Sequence, residues 1–173
     1  MEIDDYAMRA IEEADLPKLL EWRNSPEIHS KMLTDHIITW EEHLAWFNRL
    51  KIQDPPLNFA FTYKGDIAGY LGCPKYDAAN KVCDVGCYLG TDVNLPVDAG
   101  VCLGTMLYRY VFLVLGVKKV ITEVFVDNHR VLKLNIMGGF KVLEEHTVEA
   151  DDVIRKKVKI ELACSDWKRM NGM

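Results

Sequence analysis

Asn128-His129-Arg130-Val131-Leu132-Lys133-Leu134-Asn135-Ile136-Met137-Gly138-Gly139-Phe140 is the stretch that organises the rest of the chain. An Asn opens it, apolar residues recur at helical steps, and two glycines follow the last turn. That pattern predicts a helix over Asn128 to Met137, closed by Gly138-Gly139. Directly before it, Val120 to Val126 is rich in β-branched residues and reads as a strand; directly after it, Phe140 to Val148 reads as another. Further upstream, Met106, Leu107, Tyr110, Val111 and Val114 step by three and four residues from Leu103, which predicts a buried helix ending at Gly116.

The first half extends the same alternation of elements. Met8 to Ile11 is a short opening strand. Asp15-Leu16-Pro17 starts a helix with an Asp cap, Pro in the first turn, and a stripe of Leu16, Leu19 and Leu20. Thr39-Trp40-Glu41-Glu42 is a capping box, and the helix behind it presents Trp40, Leu44 and Phe47. Leu57, Phe59, Phe61 and Tyr63 then alternate as a strand, Lys64-Gly65-Asp66 turns into Ile67 to Cys73, and a turn at Asp77 to Asn80 leads into Val82 to Leu89. Ile154 to Cys164 is the last strand, followed by a frayed polar end at Lys168 to Met173. The expected fold is a mixed α/β sheet of about seven strands and about four helices, antiparallel in its first half, with one parallel pairing through a crossover helix.

A chain of 173 residues, 49% hydrophobic and 27% charged, suits one folded domain spanning 1–173, and no repeat or linker interrupts it. Its net charge of -5 argues against general nucleic-acid binding, which needs a Lys/Arg surplus on some face. No apolar run approaches the roughly 18–20 residues of a membrane helix, and the acidic start lacks the order of a secretory signal. Five cysteines form no Cys-x-x-Cys pair. Cys83 and Cys87 would lie on one strand face about 13 Å apart, too far to bridge. A reducing, cytoplasmic setting is expected. No His/Cys/Asp spacing supports a metal site, and none is expected.

Chemistry points to two segments. Gly100-Val101-Cys102-Leu103-Gly104-Thr105 lies between a strand and a helix, where glycines allow close backbone approach and first-turn N–H groups are open to phosphate oxygens. It is neither the dinucleotide fingerprint nor a Walker loop. The stretch from Asn128 to Phe140 resembles the Asn…Leu-Tyr…Gly-Phe signature of the GNAT-superfamily acetyltransferases, with Asn128, Leu134, Gly139 and Phe140 in register. Beside it, Gly100 to Thr105 is similar to that family's pyrophosphate loop, and the order of helices agrees along nearly the whole chain. Three departures stand out: Ala99 where the loop usually has Arg or Gln, Cys102 where it usually has Gly, and Asn135 at the position of the Tyr that commonly protonates the leaving thiolate.

The resemblance implies the GNAT fold and a direct acetyl transfer from acetyl-CoA to an amine, without covalent intermediate or metal. It implies that acetyl-CoA lies between the Val82–Leu89 and Val120–Val126 strands, with its pyrophosphate at the N–H groups of Cys102, Leu103, Gly104 and Thr105. Gly100, Val101, Asn128 and Arg130 complete the cofactor set, and a backbone N–H near Leu89 polarises the thioester. Leu20 to Ile28 and Trp40 to Leu44 further resemble the nucleotide-amino-sugar N-acetyltransferases of the pseudaminic-acid pathway, and less closely the ribosomal-protein N-terminal acetyltransferases. The leading acceptor is therefore a small amine, the 4-amino group of a UDP-amino-deoxy-sugar, with Arg23, Asn24, Lys31 and His43 as substrate contacts. A non-catalytic acyl-CoA-binding module is the alternative from another class, and a homodimer is one option for assembly.

Each of these residues also has a plainer reading. Asn128 can cap its helix, Arg23 and Lys31 can be solvated charges, and His43 can be a satisfied histidine at the core boundary. Trp40, Trp46 and Phe47 can be core, and Cys102 a small loop residue. Glu123 shares a strand face with Ile121 and Phe125; a carboxylate among apolar neighbours there is either the general base that neutralises the amine or half of an ion pair with an unidentified Lys or Arg.

Overall fold

Tyr6–Ala10 (β1) opens the chain in the computed structural model, which describes residues 5–32, 36–150 and 153–173. It pairs with β2 (Asn58–Tyr63), which returns through Lys64 and Gly65 at φ 52 and 93 into β3 (Asp66–Gly72). Positive φ at two successive residues is what a tight hairpin needs, and Gly65 meets it without a Cβ penalty. Two short strands follow, β4 (Tyr76–Asp77) and β5 (Val82–Cys83), before β6 (Gly86–Leu89) pairs with β3. The resulting sheet, β1-β2-β3-β6, is antiparallel throughout, and β6 is its outer strand.

This sheet belongs to the first of two compact units, which joins the chain up to Pro74 with Gly86–Leu115. Its helices are α1 (Leu16–Asn24), α2 (Pro26–His29), α3 (Trp40–Leu50) and α4 (Ala99–Arg109). Leu16, Leu19 and Trp22 form the buried stripe of α1 and meet Ile28, Phe47 and Ala60 in one core; Trp22 takes the place expected of Leu20. Asp15 does not cap α1. Its carboxylate instead accepts the Glu12 N–H at 2.8 Å and holds the Arg9 guanidinium at 2.6 and 2.8 Å. The capping box of α3 is present: Thr39 Oγ1 accepts the Glu42 N–H and the Glu42 carboxylate accepts the Thr39 N–H. On α3, Phe47 and His43 are buried, whereas Trp40 is 43% exposed.

The expected strand Val82 to Leu89 is two strands in two sheets. At its middle, Asp84 Oδ1 accepts the Val85 N–H at 2.7 Å, a side-chain bond that competes with ladder pairing. β5 therefore stays with the second unit, formed by Lys75–Val85 and Gly116–Met173. There β5 runs parallel to β7 (Lys119–Phe125) in a sheet ordered β4-β5-β7-β9-β8. Between β7 and β8 (Lys141–Ala150) lies α5 (His129–Met137), and β9 (Val153–Ala163) returns antiparallel to both β7 and β8. Val120, Thr122 and Val124 stand opposite Leu162, Ile160 and Val158, giving the buried face of this sheet. The expected frayed end is a helix, α6 (Cys164–Met170), because Trp167 is buried and Asp166 holds Lys141 and Arg169.

Among the described residues no helix is long and apolar enough to cross a membrane, and no group of three His/Cys/Asp/Glu side chains could hold a metal ion.

Candidate active site

Helix α4 starts earlier than the sequence pattern predicts. Asp98 is its N-cap, and the Val101 and Cys102 N–H groups both donate to the Asp98 carbonyl at 2.9 Å. The Cys102 N–H is therefore spent inside the helix and is not open to phosphate, which corrects its expected role; Cys102 and Leu103 turn their side chains into the core. Burial pushes the Cys102 thiol up, the opposite of a nucleophile's requirement. Thr105 Oγ1 donates back to the Val101 carbonyl, so that hydroxyl also serves the helix. The glycines carry the opening. A Cβ at Gly100 would meet nothing within 4 Å, and one at Gly104 only the Tyr108 ring edge at 3.8 Å. Residues 100 and 104 are four apart, so the first two turns of α4 show bare backbone on one face. That face leaves room for a ligand to approach the backbone closely at the start of the helix.

Leu89 is supplied by the edge of the first sheet. The Gly90 N–H donates to the Ala68 carbonyl at 2.9 Å, and Tyr70 stands opposite Tyr88. Backbone directions alternate along an antiparallel strand, so the intervening Leu89 sends its N–H and C=O away from β3, out of the sheet's edge. Gly69 permits this pairing, since a Cβ there would collide with the Tyr88 carbonyl.

An aromatic row runs along α3 and across this sheet. His43 stacks on Trp46 at 5.0 Å, Trp46 lies 6.2 Å from Tyr70, and Tyr70 stacks on Tyr88 at 5.3 Å, with Trp40 at the outer end 6.3 Å from His43. Arg23 sits at the inner end. Burial pulls its guanidinium below the ordinary arginine value, while the neighbouring Tyr88 and Tyr70 hydroxyls oppose that shift. Burial likewise pushes both phenols well above the usual tyrosine range. At neutral pH the row thus presents neutral rings and one cation. His43 belongs to it as a neutral imidazole: burial lowers its pKa, and Nε2 lies 3.1 Å from the Leu16 carbonyl, which can only accept, so that nitrogen carries the proton.

Other expected contacts are arranged differently. Asn24 is engaged by the fold itself. Its amide donates to the Ile38 carbonyl at 2.8 Å and accepts the Ile38 N–H at 2.9 Å, clamping the backbone ahead of α3. Lys31 is exposed just after α2. In the second unit, the Asn128 side chain makes no cap bond to α5, Arg130 is exposed, and Asn135 lies half-buried with its carbonyl accepting the Phe140 N–H. Glu123 is not desolvated between apolar neighbours, as its strand context suggests. Its side chain is 34% exposed, with Oε1 3.4 Å from His146 Nε2 and Oε2 3.7 Å from Lys157 Nζ. These two partners come from β8 and β9, so only the register of the second sheet identifies them. Tyr70 and Tyr88 escape the sequence reading for the same reason, whereas Trp46, which the sequence reads as core, recurs with Trp40 and His43 at steps of three.

Residues 6–141 match the family described as "Acetyltransferase (GNAT) domain". The chain belongs to the GNAT acetyltransferases. As a GNAT domain it is an N-acetyltransferase with the fold expected for that family. Two curated relatives, both named acetyltransferase PseH, come from Campylobacter jejuni subsp. jejuni. The one from serotype O:2 is 30% identical over 132 residues, covering 76% of this chain and 80% of its own. The one from serotype O:23/36 is 27% identical over the same shares. Among solved GNAT-like structures, spermidine N-acetyltransferase from Vibrio cholerae, in complex with CoA and spermine, has a TM-score of 0.83 at 17% identity, covering 95% of this chain and 98% of that one. The putative acetyltransferase yncA from Salmonella typhimurium, with its cofactor acetyl-CoA, has a TM-score of 0.76 at 15% identity, covering 92% and 94%.

Proposed function

We propose that this GNAT enzyme acetylates the 4-amino group of a UDP-amino-deoxy-sugar by direct transfer from acetyl-CoA. The observation that carries the acceptor class is Arg23, a half-buried cation at the end of a row of neutral aromatic rings. A cation in low-dielectric surroundings favours an anionic ligand and repels a polycation, while ring faces suit a planar base. The names of the C. jejuni relatives support acetyl transfer, and the sequence resemblance to amino-sugar acetyltransferases supports this acceptor class. His43 contributes a ring face to this reading, and Lys31 a second cation.

Acetyl-CoA supplies an activated thioester when bound. The bare face of α4 at Gly100 and Gly104 supports its pyrophosphate arm, with Asn128 and Arg130 as proposed further contacts. The outward Leu89 N–H is the proposed donor to the acyl carbonyl oxygen, where charge develops during attack. Only a neutral amine attacks, and Glu123 is the proposed acceptor of its proton. Asn135 offers no acid, and the thiolate leaves without one.

The test is turnover of acetyl-CoA against UDP-amino-sugars, peptide N-termini and polyamines. The nucleotide sugars are expected to react fastest, and Arg23→Ala to raise their KM with little change in kcat. Faster acetylation of peptides or polyamines removes the UDP-sugar reading.

A further inference from the structure

The connection leaving β6 is fastened to α1 by a polar hook at the rim of the apolar core, where Asp92 is exposed and Trp22 is buried. Trp22 is 1% exposed, and its indole N–H donates to Asp92 Oδ1 at 2.5 Å. The other Asp92 oxygen takes Lys18 Nζ at 2.5 Å, and Lys18 is also held by Glu21 at 3.0 Å. Lys18 and Trp22 are four residues apart, so one face of α1 delivers both donors to one carboxylate. The Lys18 bond first, and the indole second, hold the Asp92 carboxyl below the usual carboxylate range.

Gly90 is confined at the same place. Its N–H is bound to the Ala68 carbonyl, and a Cβ on it would collide with the Trp22 ring and the Val93 side chain. Leu89 precedes this fastened segment directly. Because backbone direction alternates with every residue, loss of the Gly90 bond would leave the Leu89 N–H held from one side only, and a slip of one position would turn it back toward β3. Packing alone does not explain the hook: a purely apolar side chain would need no carboxylate partner.

We infer that Trp22 and Asp92 form a clamp that aims the Leu89 N–H, making Trp22 a positioning residue for acyl transfer. This rests on Leu89 being the donor to the acyl carbonyl. Trp22 acts only through the loop, so its loss should weaken the transition state and leave acetyl-CoA binding alone.

The experiment compares Trp22→Phe, Asp92→Ala and Asp92→Asn with wild type. It follows kcat, KM for acetyl-CoA with the best acceptor, thermal stability, and backbone hydrogen–deuterium exchange over residues 86–92. Trp22→Phe and Asp92→Ala are expected to lower kcat about tenfold, less than the roughly 10²–10³-fold for outright loss of an oxyanion donor. KM is expected to stay within about twofold and exchange over 86–92 to quicken. Asp92→Asn keeps an oxygen for the indole and is expected to recover most of kcat. Unchanged exchange in both disruptive variants overturns the clamp itself. Faster exchange with unchanged kcat also overturns the proposal, and lays the failure on Leu89 as donor. A fall in kcat without rescue by Asp92→Asn, in step with a fall in thermal stability, reduces Trp22 to a core residue.

Discussion

Glu123 carries the sharpest question at the scale of single residues, because the ion pair and the base are roles for one carboxylate. His146 and Lys157 flank it at 3.4 and 3.7 Å, and Lys157 is itself buried. Glu123→Gln keeps the shape but cannot take a proton. We expect kcat/KM to fall on the order of 10²-fold, the lower end of general-base contributions, as read from a pH–rate profile. An unchanged rate and unchanged acidic limb would make Glu123 a structural partner of Lys157. Asn135→Ala should cost far less, since a thiolate leaves without a dedicated acid, and Asn135→Tyr should raise the rate by restoring one. The carboxylate was legible in the sequence from its place in Val120 to Val126. Its partners were not, since Lys157 and His146 lie more than twenty residues away and only strand register brings them over.

At the scale of elements, α4 is the proposed seat of the cofactor's pyrophosphate arm because of what its first turns lack. The Cβ of a valine at Gly104 would meet only the Tyr108 ring edge, at 3.8 Å, so the fold should survive while the bare backbone face closes. Gly104→Val is expected to weaken CoA binding at least about tenfold, or 1.4 kcal/mol, by calorimetry, with the circular dichroism spectrum preserved. The start of α4 is also pinned from β1: the Tyr6 hydroxyl donates to Asp98 Oδ1 at 2.9 Å, and Asp98 makes no side-chain bond to its own helix. Burial first, and this bond second, push the Tyr6 phenol up to about 12. Tyr6→Phe frees the Asp98 carboxylate to cap α4 and compete for the N–H groups a phosphate would use. It is expected to raise KM for acetyl-CoA in steady-state kinetics and hold kcat, with the lost bond to Asp98 partly offset by the new cap.

At the scale of the whole molecule, two buried titratable groups of the first unit shape stability against pH. Burial lowers the His43 pKa, so below about 6.5 the unfolded chain takes up a proton that the folded state refuses. Stability is then complete above that pH and declines as pH falls toward the lowered folded value. Asp15 acts in a more acid window. Burial alone would raise its carboxyl, but the Arg9 guanidinium and the Glu12 N–H outweigh that and lower it. Its contribution is present above about 3.9 and is lost as pH falls through the depressed folded value. Thermal unfolding followed from pH 8 to pH 3 should show both declines. His43→Gln is expected to flatten the first and leave the second. Arg9→Ala, which strands a buried carboxylate, is expected to cost about 3 kcal/mol at neutral pH.

The sequence by itself determined the elements whose causes are local. The Thr39 capping box, the Lys64-Gly65 turn, the helix before Gly138-Gly139 and the strand Val120 to Val126 all stand where residue chemistry puts them, because each depends on neighbours a few positions away. The GNAT signature in that helix was sufficient for the family. Only tertiary structure decided the rest. The division of Val82 to Leu89 between two sheets, the start of α4 at Ala99, and the burial that makes α6 a helix depend on pairing partners remote in sequence. So do the spent amide of Asn24 and the hook between Trp22 and Asp92, seventy residues apart. A side chain's type is written in the chain, but which donor or acceptor it meets is set by register and packing, and that meeting decides whether it is free for chemistry.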